Sequence, residues 1–190
     1  MDNVLKLFMV LLGSKAPKRM VEQHDYFFGI AGTLKDLIPQ MREFWPEAGN
    51  SLHIDGWREV TCVDGYAVRI RVNDESLNDN GKRLFFINLG GYQSGKLEEQ
   101  HYTLLTVQDD RKGAVKASTL THFFKQQSIA AVKSASAHID EKYGIDVDEV
   151  YRIEDVLPQK VKDRYVIELV PQAEMPDDEI RLGYFKLDKL

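Results

Sequence analysis

Apolar residues fall in strand-length and helix-spaced runs that recur in the same order along the chain. Continuous apolar runs at 5–12 and 84–89 are short enough for a buried strand. Each is followed by a glycine-marked loop, GSKAPKR or GGYQSGK. A second apolar run then begins just after a histidine: YFFGIAG (26–32) and YTLLTVQ (102–108). The short loop predicts that the two strands pair antiparallel. Leu34, Leu37, Ile38, Met41, Phe44 and Trp45 recur at helical spacing, Thr33 is a capping residue, and Pro46 stops the helix. Pro39 conflicts with that reading, because an interior proline costs about 3 kcal/mol. The helix either kinks there or begins near Asp36. Over 57–72, two apolar alternations flank Asp64-Gly65, a strong hairpin signal. Tyr66, Val68, Ile70 and Val72 are expected to face inward, and Arg69 and Arg71 to face water. The second half predicts helices at 113–125 and 128–142, a strand over 147–156, a loop with Pro158, and a strand over 164–170.

The recurrence extends to residue identity. Shifting the chain by 77 places KLFMVLLG (6–13) on RLFFINLG (83–90), and Glu22-Gln23-His24 on Glu99-Gln100-His101, without a gap. His53-Ile54-Asp55 then matches His138-Ile139-Asp140, and DGYAVRIRV (64–72) resembles DRYVIELV (163–170). The reading is a tandem duplication: copy one at 1–75, copy two at 81–171, and a C-terminal tail at 172–190 packed on the body. NDESLNDNG (73–81) is the linker. The predicted fold class is α+β, with two ββαββ-like halves related by a pseudo-twofold and mainly antiparallel sheet.

Composition narrows the function classes. With 190 residues, 43% apolar and 29% charged, the chain has ordinary globular composition. A net charge of −5 gives no general attraction to nucleic acid, and none is expected as a partner. The apolar run Leu7 to Leu12 is too short for a membrane span, and the basic residues after it argue against a signal peptide. One cysteine, Cys62, excludes an internal disulfide framework and fits a reducing, cytoplasmic setting. Cys62 and the two tryptophans read as packing residues. A homo-oligomer is compatible with the chain.

Polar residues kept by both copies are the informative ones. In copy one they are Glu22, His24, His53 and Asp55; in copy two, Glu99, His101, His138 and Asp140. Residues two apart on a strand share a face, so each pair presents an imidazole beside a carboxylate. Such a set suits a divalent metal or acid–base work. The competing reading is that these side chains cap strand ends and satisfy backbone groups. The glycine loops do not open helices, which argues against a nucleotide site; Lys15, Lys18 and Arg19 form either a solvated turn or a small anion-binding patch. Asp146, Asp148 and Glu149 lack the glycine and terminal glutamate of a calcium loop. No nucleophile elbow, P-loop, zincin helix or dinucleotide fingerprint is present.

The string EQHDYFFGIAGTLKDLIP, followed by FWPEAGNSLHIDGWREVTCVDGYAVRI, resembles a small bacterial family of domains of unknown function, the one numbered fifteen forty-three. The resemblance spans about 7–72 and rests on Glu22, His24, Asp25, Phe28, Trp45, His53, Asp55, Trp57, Asp64, Gly65 and Tyr66. Copy two departs from it, with Tyr102 in place of Asp25 and Arg164 in place of Gly65. The resemblance implies a bacterial cytosolic protein, in a family whose domain occurs in one or two copies, and implies no activity. The expected function is a non-enzymatic module that binds a small ligand or a protein in a groove between its halves. The alternative is a metal-assisted hydrolase or related enzyme using the repeated Glu-x-His and His-x-Asp pairs. No cofactor is identified by the sequence.

Overall fold

The first apolar run becomes a central strand, β1 (Lys6–Ser14), with Leu7, Phe8, Met9, Val10 and Leu12 buried on its two faces. The structure, a computed structural model, describes residues 4–73, 79–92, 97–121, 145–172 and 174–190, with backbone alone at 92 and 145–148. β2 (Gln23–Ala31) and β3 (His53–Glu59) flank β1, each antiparallel to it, and β10 (Arg181–Lys186) pairs with the outer side of β3. β2 and β3 are therefore parallel, and a helical crossover joins them. It runs through a 3-10 turn (Leu34–Leu37), α1 (Ile38–Phe44) and a second 3-10 segment (Pro46–Ser51). The Asp36 carboxylate accepts from the Thr33 N–H and hydroxyl at the start of this crossover. Pro39 falls in the first turn of α1, where its missing N–H has no intrahelical acceptor to lose. The two alternatives for this proline thus resolve into a late helix start. Leu37, Met41, Ala48 and Leu52 from the crossover meet Phe8, Val10, Leu12 and Ile54 in one core.

A second sheet in the same unit holds β4 (Cys62–Val63), β5 (Tyr66–Val72) and β9 (Tyr165–Pro171). Asp64 (φ 51°) and Gly65 (φ 75°) both adopt positive φ, as the tight hairpin turn between β4 and β5 requires. Replacing Gly65 by valine is expected to destabilise this unit by about 1–3 kcal/mol, measured by urea denaturation, because a β-branched residue is strained there. Tyr66, Val68 and Ile70 are half-buried, but Val72 is exposed and Ala67 is the buried residue of β5, so the inward face differs from the expected alternation. The reason is its neighbour: β5 pairs along its whole length with β9, which leaves Val72 at the open end of a two-strand ribbon. Tyr66 lies opposite Pro171, Arg69 opposite Glu168, and Val72 opposite Tyr165. Adding 99 to a β5 position gives a β9 position, and the register is unchanged when the two strands are exchanged in this way.

By contacts the chain divides into residues 1–77 with 157–190, called unit 1, and residues 78–156, called unit 2. The compact units and the sequence copies therefore differ at 157–171. The sequence reading puts that stretch in copy two; in space it lies in unit 1, because β9 pairs with β5. The tail contributes β10, and Leu187 beyond it is buried in the unit 1 core.

Unit 2 holds β6 (Arg83–Tyr92) between β7 (Glu99–Gln108) and β8 (Ile145–Arg152), both antiparallel to it. At its entry, the Arg83 guanidinium hydrogen-bonds both carboxylate oxygens of Asp79 and holds that carboxyl down at about 2. α2 (Arg111–Ser118) starts where the Asp110 carboxylate accepts from the Gly113 N–H at 2.8 Å, and it ends earlier than the expected 113–125. The helix expected at 128–142 lies outside the described residues. The strand expected over 147–156 ends at Arg152, and α3 (Ile153–Val156) follows with Ile153 buried; α4 (Gln159–Lys162) then begins the return to unit 1. Phe85, Ile87, Leu89, Ala114 and Val150 form the core of unit 2. The chain is thus α+β with mainly antiparallel sheets.

Candidate polar site of the first unit

Three strands meet in a row at Gly13. His24 on β2 and His53 on β3 are its direct cross-strand partners. Directly opposite residues share a sheet face, so both imidazoles rise on the same side over a residue with no side chain. Gly13 does not adopt positive φ. It is glycine for space: a Cβ there would stand 2.3 Å from Asp55 Oδ2 and 2.5 Å from His53 Nε2.

Asp55 reaches this point through a bulge. Leu11 pairs with Gly56 and Leu12 with Ile54, which leaves Asp55 unpaired against β1. On the other side of β3, Leu182 pairs with Gly56 and Phe185 with Ile54, so the ladder to β10 is also interrupted beside Asp55. Bulges commonly re-aim a side chain in this manner. Glu22 immediately precedes β2 and completes the group.

The four side chains converge. His53 Nε2 lies 3.2 Å from Glu22 Oε1 and 3.2 Å from Asp55 Oδ1, and His24 Nε2 lies 3.0 Å from Asp55 Oδ2. The His53 side chain is 3% exposed, Asp55 23%, Glu22 37% and His24 45%, so access rises from His53 outward to Glu22 and His24. His53 Nδ1 is 2.8 Å from the Ser51 carbonyl oxygen. A carbonyl only accepts, so Nδ1 carries the proton and, in the neutral ring, Nε2 presents its lone pair to the carboxylates. Among the described residues, neither His53 Nε2 nor Asp55 Oδ2 has a partner with hydrogen-bond geometry; their close approaches are ion-pair distances only. The Ser51 hydroxyl, which fixes the end of the crossover, donates to Ala48 O and contacts Ser14 Oγ at 2.6 Å. The Tyr184 ring from β10 lies against the His53 ring, with centroids 4.2 Å apart.

Electron-rich atoms brought this close without bonding each other are favoured by a positive charge among them, a cation or an added proton. Glu22, His53 and Asp55 each offer one ligand atom, all within 4.8 Å of one another, as a metal ion would require. A His53 Nδ1–H donated to a backbone carbonyl is the arrangement that usually supports a metal-ligating histidine. His24 lies against the other oxygen of Asp55, where it orients that carboxylate.

The structure therefore brings together Glu22, His24, His53 and Asp55. In unit 2, His101 Nε2 and Glu99 Oε2 are 3.8 Å apart at the start of β7. His138 and Asp140 lie outside the described residues. The register sets Asp146, not His138, opposite Gly90 of β6. Gly13, the Ser51 carbonyl and Tyr184 were not singled out by the sequence. The glycine that follows each apolar run was the one available signal among them. Of the basic residues after β1, Arg19 lines a concavity of about 400 Å³ with Ser14, Gln23, Trp45 and Glu47. Glu47 lines the same concavity, so its lining is not uniformly cationic, which weakens the anion-patch reading.

Comparison with known proteins gives a family match over part of the chain and a fold. Residues 19–70 match the family model described as Domain of Unknown Function (DUF1543). The chain is similar to the crystal structure of protein Il1583 from Idiomarina loihiensis, with TM-score 0.65 and 22% identity over 96% of this chain and 98% of that one. That likeness concerns the fold alone. No curated protein matches the chain. Among the described residues, no helix is long and apolar enough to cross a membrane.

Proposed function

We propose that this chain, carrying a DUF1543 domain, binds a divalent transition-metal ion in unit 1 through His53 Nε2, Glu22 and Asp55, with His24 holding Asp55 in place. The observation that carries the reading is His53: a buried imidazole whose Nδ1–H is already committed and whose Nε2 faces two carboxylates without a hydrogen bond. Strand-end capping, the competing explanation, would leave Nε2 bonded to backbone or to a single carboxylate. One imidazole with two carboxylates suits zinc, manganese or iron(II). Three protein ligands leave coordination positions for an external molecule. This fits a binding module whose small ligand is an anion or a neutral oxygen donor held on the metal. The single cysteine, half-buried Cys62, supports a cytosolic setting.

The experiment is isothermal titration of the metal-stripped full chain with Zn²⁺ and Mn²⁺. His53→Gln and Asp55→Asn are each expected to weaken unit 1 binding by about 100-fold or more with the melting curve still cooperative, and binding is expected to fall on acidification, because protons compete for the ligand atoms. Unchanged affinity in both variants would leave strand-end capping as the role of the cluster.

The open coordination positions also favour a second reading, metal-assisted hydrolysis, since three-ligand sites of this kind supply a bound water as nucleophile. Turnover of simple phosphate or carboxylate esters by the metal-loaded chain, lost in His53→Gln, would decide for it.

The matching registers of the two units, and the exchange symmetry of β5 with β9, support a duplicated origin for the chain.

A further inference from the structure

We infer that unit 2 carries a second divalent-cation site, formed by Glu99, His101, Asp146 and Asp148, in which an aspartate stands where unit 1 has His53. The inference rests on the reading of the unit 1 cluster as a cation site, and it adds a distinct site with a different donor set.

Strand register carries it. β1 pairs Lys6 with Ala31 and Gly13 with His24; β6 pairs Arg83 with Gln108 and Gly90 with His101. Every β1–β2 position maps onto β6–β7 by the same offset of 77. The third strand follows a constant offset of 93: Leu11–Gly56, Leu12–Ile54 and Gly13–His53 become Asn88–Glu149, Leu89–Val147 and Gly90–Asp146. The bulge recurs in the same place, so Asp148 is the residue skipped in β8 as Asp55 is in β3. The four positions that converge in unit 1 are thus held in unit 2 by Glu99, His101, Asp146 and Asp148, around a glycine at the same point of the central strand.

Residue type is the second, separate observation. Asp, Glu and His make up fewer than one residue in five of the chain. All four positions nonetheless carry metal-capable side chains, although the neighbouring positions of β8 differ from those of β3. At the first pair, His101 Nε2 and Glu99 Oε2 approach to 3.8 Å. These acidic residues do not fit a calcium loop, because their spacing belongs to a bulged strand.

The donor set selects the cation. Replacing an imidazole by a carboxylate makes three of the four groups oxygen donors and favours a harder ion. Unit 2 is accordingly a manganese or magnesium site, and unit 1 the zinc-preferring one.

Mn²⁺ titration of the metal-stripped full chain, followed by electron paramagnetic resonance of free Mn²⁺, tests this. The expected result is two bound equivalents. Asp146→Asn combined with Asp148→Asn should remove one, with at least a tenfold loss of affinity, and leave Zn²⁺ binding to unit 1 unchanged. His53→Gln should remove the other. A complementary readout is the His101 ring proton signal, which Mn²⁺ should broaden in the His53→Gln chain. One equivalent, lost in His53→Gln and untouched by the aspartate changes, overturns the inference and leaves the unit 1 site standing. No bound equivalent overturns both. Should the double variant fail to fold, broadening at His101 decides alone: its absence in His53→Gln counts against the site.

Discussion

Gly13→Ala is expected to remove cation binding by unit 1, a loss of at least about 100-fold in a titration with Zn²⁺, while the chain still melts cooperatively. The added methyl would overlap Asp55 Oδ2 and His53 Nε2, at 2.3 and 2.5 Å. Asp55 has some freedom to swing, being partly exposed. His53 has little, because its ring is packed beneath Tyr184 and tied through Nδ1 to Ser51. Since Gly13 has no left-handed φ, alanine brings no backbone strain, and strand propensity favours it. Folding stability and binding should therefore separate. A variant that binds as the parent does would show that the ion, or the function, lies elsewhere.

Leu37→Ala is expected to cost about 2–5 kcal/mol of unfolding free energy. Leu37 is fully buried, at the junction between the 3-10 turn and α1, and packs in the core with Phe8, Leu12, Met41 and Ile54. Its methyls also cover Gly29 of β2: a Cβ there would meet Leu37 Cδ2 at 2.7 Å. Truncation leaves a cavity between the crossover and the sheet, and strand and helix backbone are too constrained to collapse into it. Urea denaturation measures the loss. A midpoint equal to that of the parent would mean that this helix face does not hold the sheet.

How far these features were legible from residues alone differs by kind. The apolar run of β1, the hairpin at Asp64-Gly65 and the crossover helix are written locally, in periodicity and turn chemistry, and they occur where expected. The partner of β5 is not local: nothing in residues 64–72 states that the strand pairs with 165–171 across an intervening unit. The Glu22-x-His24 and His53-x-Asp55 pairs were visible because both sit at strand ends of the repeated pattern. Their meeting depends on the Gly13 row and the bulge at Asp55, which are properties of register. Matching letters and matching register are separate signals. His138-Ile139-Asp140 repeats the string at 53–55, yet the β6–β8 ladder places 146–148 at the corresponding positions. At the register position that His53 holds in β3, β8 has Asp146.

The pairing of β5 with β9 sets an order of events during synthesis. Arg69 waits for Glu168, so the first unit to leave the ribosome is not the first able to close. Unit 2 is contiguous and has its three strands in hand once residue 152 has emerged, whereas unit 1 still lacks β9 and β10. Contacts of such long sequence separation form slowly, and until they do the edges of β3 and β5 stay open to any other nascent strand. Tyr184 travels with the same late segment. The face of His53 is therefore covered only after the rest of the cluster has been made, which leaves an interval in which the proposed ion would have its freest entry.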